Sequence, residues 1–189
     1  MSRIVVVYHS GYGHTAAQAE AVRQGAASVP GATVDLITAD EAVKNWPLFE
    51  KADAIIFGAP TYMGSASAPF KAFMDATSKL WMKQEWKDKL AAGFTNSGSQ
   101  SGDKFNTLVE FFTFAMQHSM IWVGLDLLPG NNSSKGSVND LNRLGGFGGA
   151  MSQSNVDQGP DVAPPEADRK TAAQLGKRVA EMAGRFSKD

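Results

Sequence analysis

The chain has 189 residues, 43% hydrophobic and 20% charged, with a net charge of -1 and no cysteine. This is an ordinary globular balance in a chain long enough for one well-packed domain. It excludes disulfides, thiolate catalysis and thiolate-held iron–sulfur clusters, and it gives no electrostatic footprint for nucleic acid.

The first predicted strand is Arg3–His9, continuously apolar and β-branched around Ile4-Val5-Val6-Val7, as expected of a strand covered on both faces. It begins within three residues of the N-terminus, so no signal peptide is expected. No apolar run approaches membrane-spanning length, and the expected location is cytoplasmic. A helix over Thr15–Ser28, with Ala19, Val22 and Ala26 on one face, ends at Pro30-Gly31. A short strand over Thr33–Thr38 follows, then at most a short helix over Asp40–Asn45 that Trp46-Pro47 breaks.

The third strand is Ala52–Ala59. It opens onto Gly58-Ala59-Pro60-Thr61-Tyr62-Met63-Gly64-Ser65. A helix after Pro69 carries Phe70, Phe73, Met74, Thr77, Leu80 and Trp81 on one stripe. The fourth strand, Leu90–Thr95, runs into Asn96-Ser97-Gly98-Ser99-Gln100-Ser101-Gly102-Asp103. The next helix, Lys104–His118, is expected to turn Phe105, Leu108, Val109 and Phe112 inward, and Met120–Gly124 starts a fifth strand. Periodicity is then lost. Residues 125–164 read as a long irregular insertion, with Gly148–Gln153 as a returning piece of the fifth strand. A last helix over Pro165–Ser187 places Leu175, Val179, Met182 and Phe186 on one face.

Strands alternating with helices imply an α/β fold with right-handed crossovers. Five strands suggest a single doubly wound, flavodoxin-like domain: a parallel sheet of order 2-1-3-4-5 with helices on both faces. Ligands of such sheets bind outside the carboxyl ends of the strands. The Gly/Ser-rich loops after strands 1, 3 and 4 lie at that end.

The first of these loops, Ser10-Gly11-Tyr12-Gly13-His14-Thr15, joins a buried strand to a helix N-terminus. Unpaired N–H groups and the positive end of the helix dipole make that junction an anion site. Ser10 and Thr15 add hydroxyls, and no Lys or Arg is present. Gly11 and Gly13 give G-x-G without the Walker lysine or the full dinucleotide fingerprint. A phosphorylated receiver domain would need an aspartate ending strand 3, where Gly58-Ala59-Pro60 stands. A mononucleotide with one phosphate and a flat ring fits better. The first loop would take the phosphate, while Pro60–Ser65 and Thr95–Gln100 would flank the ring. FMN is that molecule. The three histidines, His9, His14 and His118, lack metal-site spacing.

Tyr8-His9-Ser10-Gly11-Tyr12-Gly13-His14 resembles the phosphate loop of the WrbA-type NAD(P)H:quinone oxidoreductases, within the flavodoxin-like NADPH-dependent FMN reductase family. Pro60-Thr61-Tyr62-Met63-Gly64 resembles the isoalloxazine loop of that family, and Leu80-Trp81, Gln117-His118-Ser119-Met120 and Gly145-Gly146-Phe147-Gly148-Gly149 fall at matching places. The resemblance implies non-covalent FMN, hydride from NADH or NADPH, a quinone or similar acceptor, and a homo-oligomer, dimer or tetramer. It implies that Trp81 approaches the flavin of a neighbouring subunit and that His118 lies over the ring as the protonatable group. The bland alternative for His118 is a helix-end residue favoured by the dipole. Tyr62-Met63 stands where the family usually has Arg-Phe, and Gln117 where it often has a second histidine. The rival reading is a flavodoxin-type electron carrier without substrate chemistry. Such carriers tend to be strongly acidic, and this chain is not.

Overall fold

The computed structural model describes residues 1–186. In chain order the elements are β1 (Ser2–Tyr8), α1 (His14–Ala27), β2 (Ala32–Thr38), α2 (Ala39–Ala42), α3 (Trp46–Glu50), β3 (Ala54–Tyr62), β4 (Ser65–Ala66), α4 (Ala68–Ala76), α5 (Ser78–Met82), β5 (Leu90–Ser97), α6 (Lys104–Gln117), β6 (Ile121–Trp122), β7 (Ala150–Gln153) and α7 (Glu166–Phe186). The expected last helix also included Ser187, which lies outside the described residues.

The sheet runs β2-β1-β3-β5-β6, all parallel. This is the doubly wound order read from the sequence, with one difference. The fifth strand is split. β6 pairs only with Leu90 and Ala91, at the start of β5. The chain then leaves and returns as β7, which pairs with Phe94–Ser97 at the other end of β5. β4 forms a short antiparallel hairpin with the end of β3.

Two apolar layers hold the sheet. On one face Ile4, Val6, Ile56 and Phe94 pack against Val22, Ala26, Leu175 and Val179 of α1 and α7. The two helices approach very closely, because a Cβ at Gly25 would collide with the Ala173 carbonyl and one at Gly176 with that of Val22. On the other face Val5, Val7 and Phe57 pack against an aromatic cluster of Phe49, Phe70, Phe73, Trp86, Phe111 and Phe114. Ring centroids there are 5.0 Å apart for Phe70–Phe111 and 5.6 Å for Phe49–Trp86. Offset and tilted pairs at such spacings add to the burial of apolar area.

Several faces differ from expectation. Trp46-Pro47 starts α3 rather than ending a helix, since proline is tolerated in a first helical turn. On α6 the inward row is Leu108, Phe111 and Ala115, whereas Phe105, Val109 and Phe112 are exposed. Beside the polar row Asn106, Glu110, Thr113 and Gln117 that helix carries two apolar rows, so its pattern did not fix which of them faces the sheet. Trp81 is 45% exposed and Trp86 is the fully buried tryptophan. Phe186 is exposed at the end of α7. No helix among the described residues is long and apolar enough to cross a membrane.

Candidate functional site

The register aligns the carboxyl ends of the central strands. Tyr8 pairs with Gly58, Pro60 with Asn96, and Asn96 in turn with Ser152. The loops that leave this rim enclose a cavity of about 600 Å³. Its lining comes from four segments: Ser10, Tyr12, His14 and Thr15 after β1; Pro60, Thr61 and Tyr62 at the end of β3; Asn96, Ser97 and Gly98 at the end of β5; and Ser154, Val156 and Gln158 after β7.

The first loop is shaped by its glycines. Gly13 is the N-cap of α1 with φ +89°, a conformation glycine adopts without steric cost. A Cβ there would lie 2.8 Å from Pro160 Cγ, and a Cβ at Gly11 would lie 2.7 Å from the Tyr62 hydroxyl. Ser10 Oγ accepts from the Gly13 N–H at 3.1 Å, which leaves its own hydrogen free to donate. The first-turn N–H groups of α1 have no acceptor within the helix, and that turn carries no acidic residue. Among the described residues no lysine or arginine lines the cavity. This donor set suits a phosphate held by amides and hydroxyls alone.

The remaining walls suit a flat ring. Tyr12 and Tyr62 meet edge to face, centroids 6.4 Å apart. Burial and the neighbouring Tyr12 push the Tyr62 hydroxyl above its ordinary range, so it stays protonated. Thr95 lies beneath the surface and ties two strands together, donating to Ala59 O at 2.7 Å, with its Oγ1 2.8 Å from Thr61 Oγ1. The Asn96 amide, turned so that its nitrogen faces the neighbouring oxygens, donates to Ser154 Oγ at 2.8 Å and to Ser152 O at 3.3 Å.

Of the other expected site residues, Met63, Gly64 and Ser99 line an adjoining cleft shared with Thr61, Ser97 and Val156. Ser65 turns away and donates to Glu110 at 2.7 Å, and the same carboxylate oxygen accepts from Ala66 N–H at 2.9 Å. Gln100 opens onto a separate cleft beside Phe105 and Met151. Trp81, on α5, is not part of the lining.

His118 is not part of the cavity lining; it is 1% exposed among the rings of Trp86 and Phe114, in the aromatic layer on the opposite side of the sheet from α1. Its ring stacks 4.5 Å from Trp86 and meets Phe114 edge on at 4.9 Å. Thr77 Oγ1 donates to Met74 O, so it accepts from His118 Nε2, 2.9 Å away. This fixes the hydrogen on Nε2 and leaves Nδ1 buried without a partner. Burial pushes the imidazolium down to about 4. His118 is a neutral core residue.

Sequence reasoning missed Ser154, Val156 and Gln158. They lie on the irregular insertion, and only the pairing of β7 with β5 brings them to the rim. No group of three or more His, Asp or Glu among the described residues is placed to hold a metal ion.

A family model for NADPH-dependent FMN reductase matches residues 13–124, more than half of the chain. Over 96% of its length the chain is 44% identical to a protein named flavodoxin FldP from Pseudomonas aeruginosa, covering 97% of that relative. It is 33% identical to an NAD(P)H dehydrogenase (quinone) from Archaeoglobus fulgidus, over 97% of this chain and 98% of that one. Among solved structures, a flavodoxin, WrbA-like protein from Agrobacterium tumefaciens is 39% identical with a TM-score of 0.75, covering 98% of this chain and 99% of its own. By these matches the chain belongs to the NADPH-dependent FMN reductase family, a flavodoxin-like family of FMN-dependent oxidoreductases, among its WrbA-type members.

Proposed function

We propose that the chain binds FMN in the cavity at the carboxyl rim, accepts hydride from NADH or NADPH, and passes two electrons to a quinone or similar small acceptor. The observation that carries this reading is the uncharged cradle at Ser10–Thr15, which opens onto the same cavity as Pro60–Tyr62 and Asn96–Gly98. The Ser10 hydroxyl and the first-turn amides of α1 would hold the phosphate. Tyr12, Tyr62 and Val156 offer apolar faces, while Asn96 and the 97–98 backbone offer polar edges. Bound FMN supplies the hydride chemistry, and the protein supplies position, exclusion of water and electrostatics. Naming of the 33% identical relative as an NAD(P)H dehydrogenase (quinone) supports the donor and acceptor classes.

The test is direct. Purified protein should quench FMN fluorescence at micromolar concentration, and its FMN complex should oxidise NADPH with benzoquinone faster than free FMN does. Absence of quenching overturns the reading.

A second reading, an electron carrier without substrate chemistry, is favoured by the name of the 44% identical relative and by the withdrawal of His118 from the cavity. It predicts normal FMN binding with NADPH–quinone turnover no faster than free FMN. Support for the expected homo-oligomer comes from the exposed row Phe105, Val109, Phe112 and Met116 along α6, which a second copy would cover. A sizing column tests it, and elution as a monomer overturns it.

A further inference from the structure

Behind the wall formed by residues 96–99 lies a cation that the lining does not reveal. Lys104 is 1% exposed. Its ammonium donates to Ser97 Oγ and to Ser99 O, both at 2.7 Å. Gly102, at φ +54°, makes room for this contact, since a Cβ there would collide with Ser97 Oγ. Ser97 itself lines the cavity, so the ammonium sits one side chain behind it.

The charge is poorly compensated. Both acceptors are neutral. The carboxylate that acts on Lys104 from further away, Asp168, is already engaged. Its two oxygens accept from Arg143 at 2.7 and 2.8 Å, and one also accepts from the Gln153 N–H at 2.9 Å. Arg143 adds repulsion. Lys104 also opens α6, where the positive end of the helix dipole disfavours a cation. Burial pushes its ammonium down to about 8, so at neutral pH it still carries its charge. A buried ammonium with only neutral acceptors is costly, and methionine or leucine would fill the space more stably.

Such a charge is useful beside a ligand that becomes more negative in the course of reaction. A hydride brings two electrons and one proton, so a neutral flavin ring that accepts one becomes a monoanion. Among the described residues no lysine or arginine lines the cavity to meet that charge. We propose that Lys104 is a positioning and electrostatic residue of the flavin site: it fixes the 97–99 segment, and its buried charge favours the reduced form of bound FMN. The proposal rests on the FMN reading above.

The test compares wild type with Lys104→Gln and Lys104→Met, each loaded with FMN. Two quantities are read: the dissociation constant for oxidised FMN by fluorescence quenching, and the midpoint potential by reduction with xanthine and xanthine oxidase against a reference dye. Lys104→Gln, which keeps a donor for Ser97 and Ser99, should bind oxidised FMN within about threefold of wild type, whereas Lys104→Met, which loses both ties, should bind it more weakly; both should shift the potential to more negative values. The shift should correspond to about tenfold or more weaker binding of reduced FMN. Unchanged potential in the Gln variant overturns the electrostatic role, even where the Met variant is shifted, because Gln keeps a donor and loses only the charge. Should the Met variant fail to fold, the Gln variant alone decides. Wild type that does not quench FMN overturns the parent reading instead, whereas quenching with unshifted potentials overturns only the role of Lys104.

Discussion

His14 Nε2 lies 2.7 Å from the carbonyl oxygen of Gln158. A carbonyl can only accept, so the imidazole nitrogen carries the hydrogen and donates. The first residue of α1 is thereby latched to the far end of the irregular insertion, 144 residues along the chain. A second tie lies alongside, where Arg169 donates to Pro160 O at 2.7 Å and to Pro164 O at 2.8 Å. The segment is thus held down over the 10–15 loop and forms one wall of the cavity.

His14→Ala removes the latch and leaves the cradle of amides intact. FMN affinity should fall about fivefold to tenfold, the worth of one exposed hydrogen bond that orders a loop, with little change in urea midpoint. A fluorescence titration checks it. Unaltered affinity would mean that Arg169 alone keeps the wall in place.

Gly13→Val strikes the cradle itself. The residue sits at φ +89°, and its new Cβ would press on Pro160. A β-branched side chain in that conformation costs about 1–3 kcal/mol, small enough for the domain to remain folded. FMN quenching should disappear while far-UV circular dichroism is retained. Normal quenching would place the phosphate elsewhere.

His118 gives a prediction about acid stability. Burial holds its folded value at about 4, against about 6.5 in an unfolded chain. Between these values the unfolded state binds the extra proton, so stability rises with pH across that window. The contribution is fully present above pH 6.5 and is lost as pH falls towards 4, amounting to roughly 3 kcal/mol at most. His118→Gln keeps a donor for Thr77 and cannot titrate. Its urea midpoint should depend less on pH between 4 and 6.5, with NADPH–quinone turnover unchanged at saturating FMN. A large fall in turnover with intact stability would assign His118 a role in chemistry.

What could be read from the sequence follows burial. Ile4–Val7 and Ile55–Phe57 are covered on both faces, so their strands appear as unbroken apolar runs. Loops rich in Gly and Ser follow β1, β3 and β5 and mark the rim, with Gly11, Gly13 and Gly102 at points where a Cβ would collide. Ser154 carries no such signal: it joins the site through Asn96, 58 residues away, by the side-chain contact that β7 brings about. Lys104 looks like any polar residue opening a helix, and its burial arises from how α6 seats against the 97–99 loop. His118 and Trp81 were placed by likeness to a family. Neither burial nor exposure can be read from a histidine at the end of a helix or a tryptophan on an apolar stripe.

Arg143 and Asp168 form a bidentate pair that is nearly inaccessible to solvent, with side-chain exposures of 8% and 2%. Their function is architectural. Asp168 also accepts from the Gln153 N–H, and Gln153 Nε2 donates to Gly98 O at 2.9 Å, so the pair supports the cavity wall through one intervening residue. Asp168→Asn would leave two cations, Arg143 and Lys104, with no anion among them. Removing one partner of a buried pair costs about 3–5 kcal/mol, whereas replacing both with apolar residues can cost nothing. Asp168→Asn should therefore lower the urea midpoint strongly and weaken FMN binding. The double variant Asp168→Leu, Arg143→Met should recover most of the stability, yet not the affinity, since Gln153 still lacks its acceptor. Recovery of both would show that the wall at Gly98 stands without the pair; recovery of neither would show that packing at this joint needs the ions' shape as well as their charge.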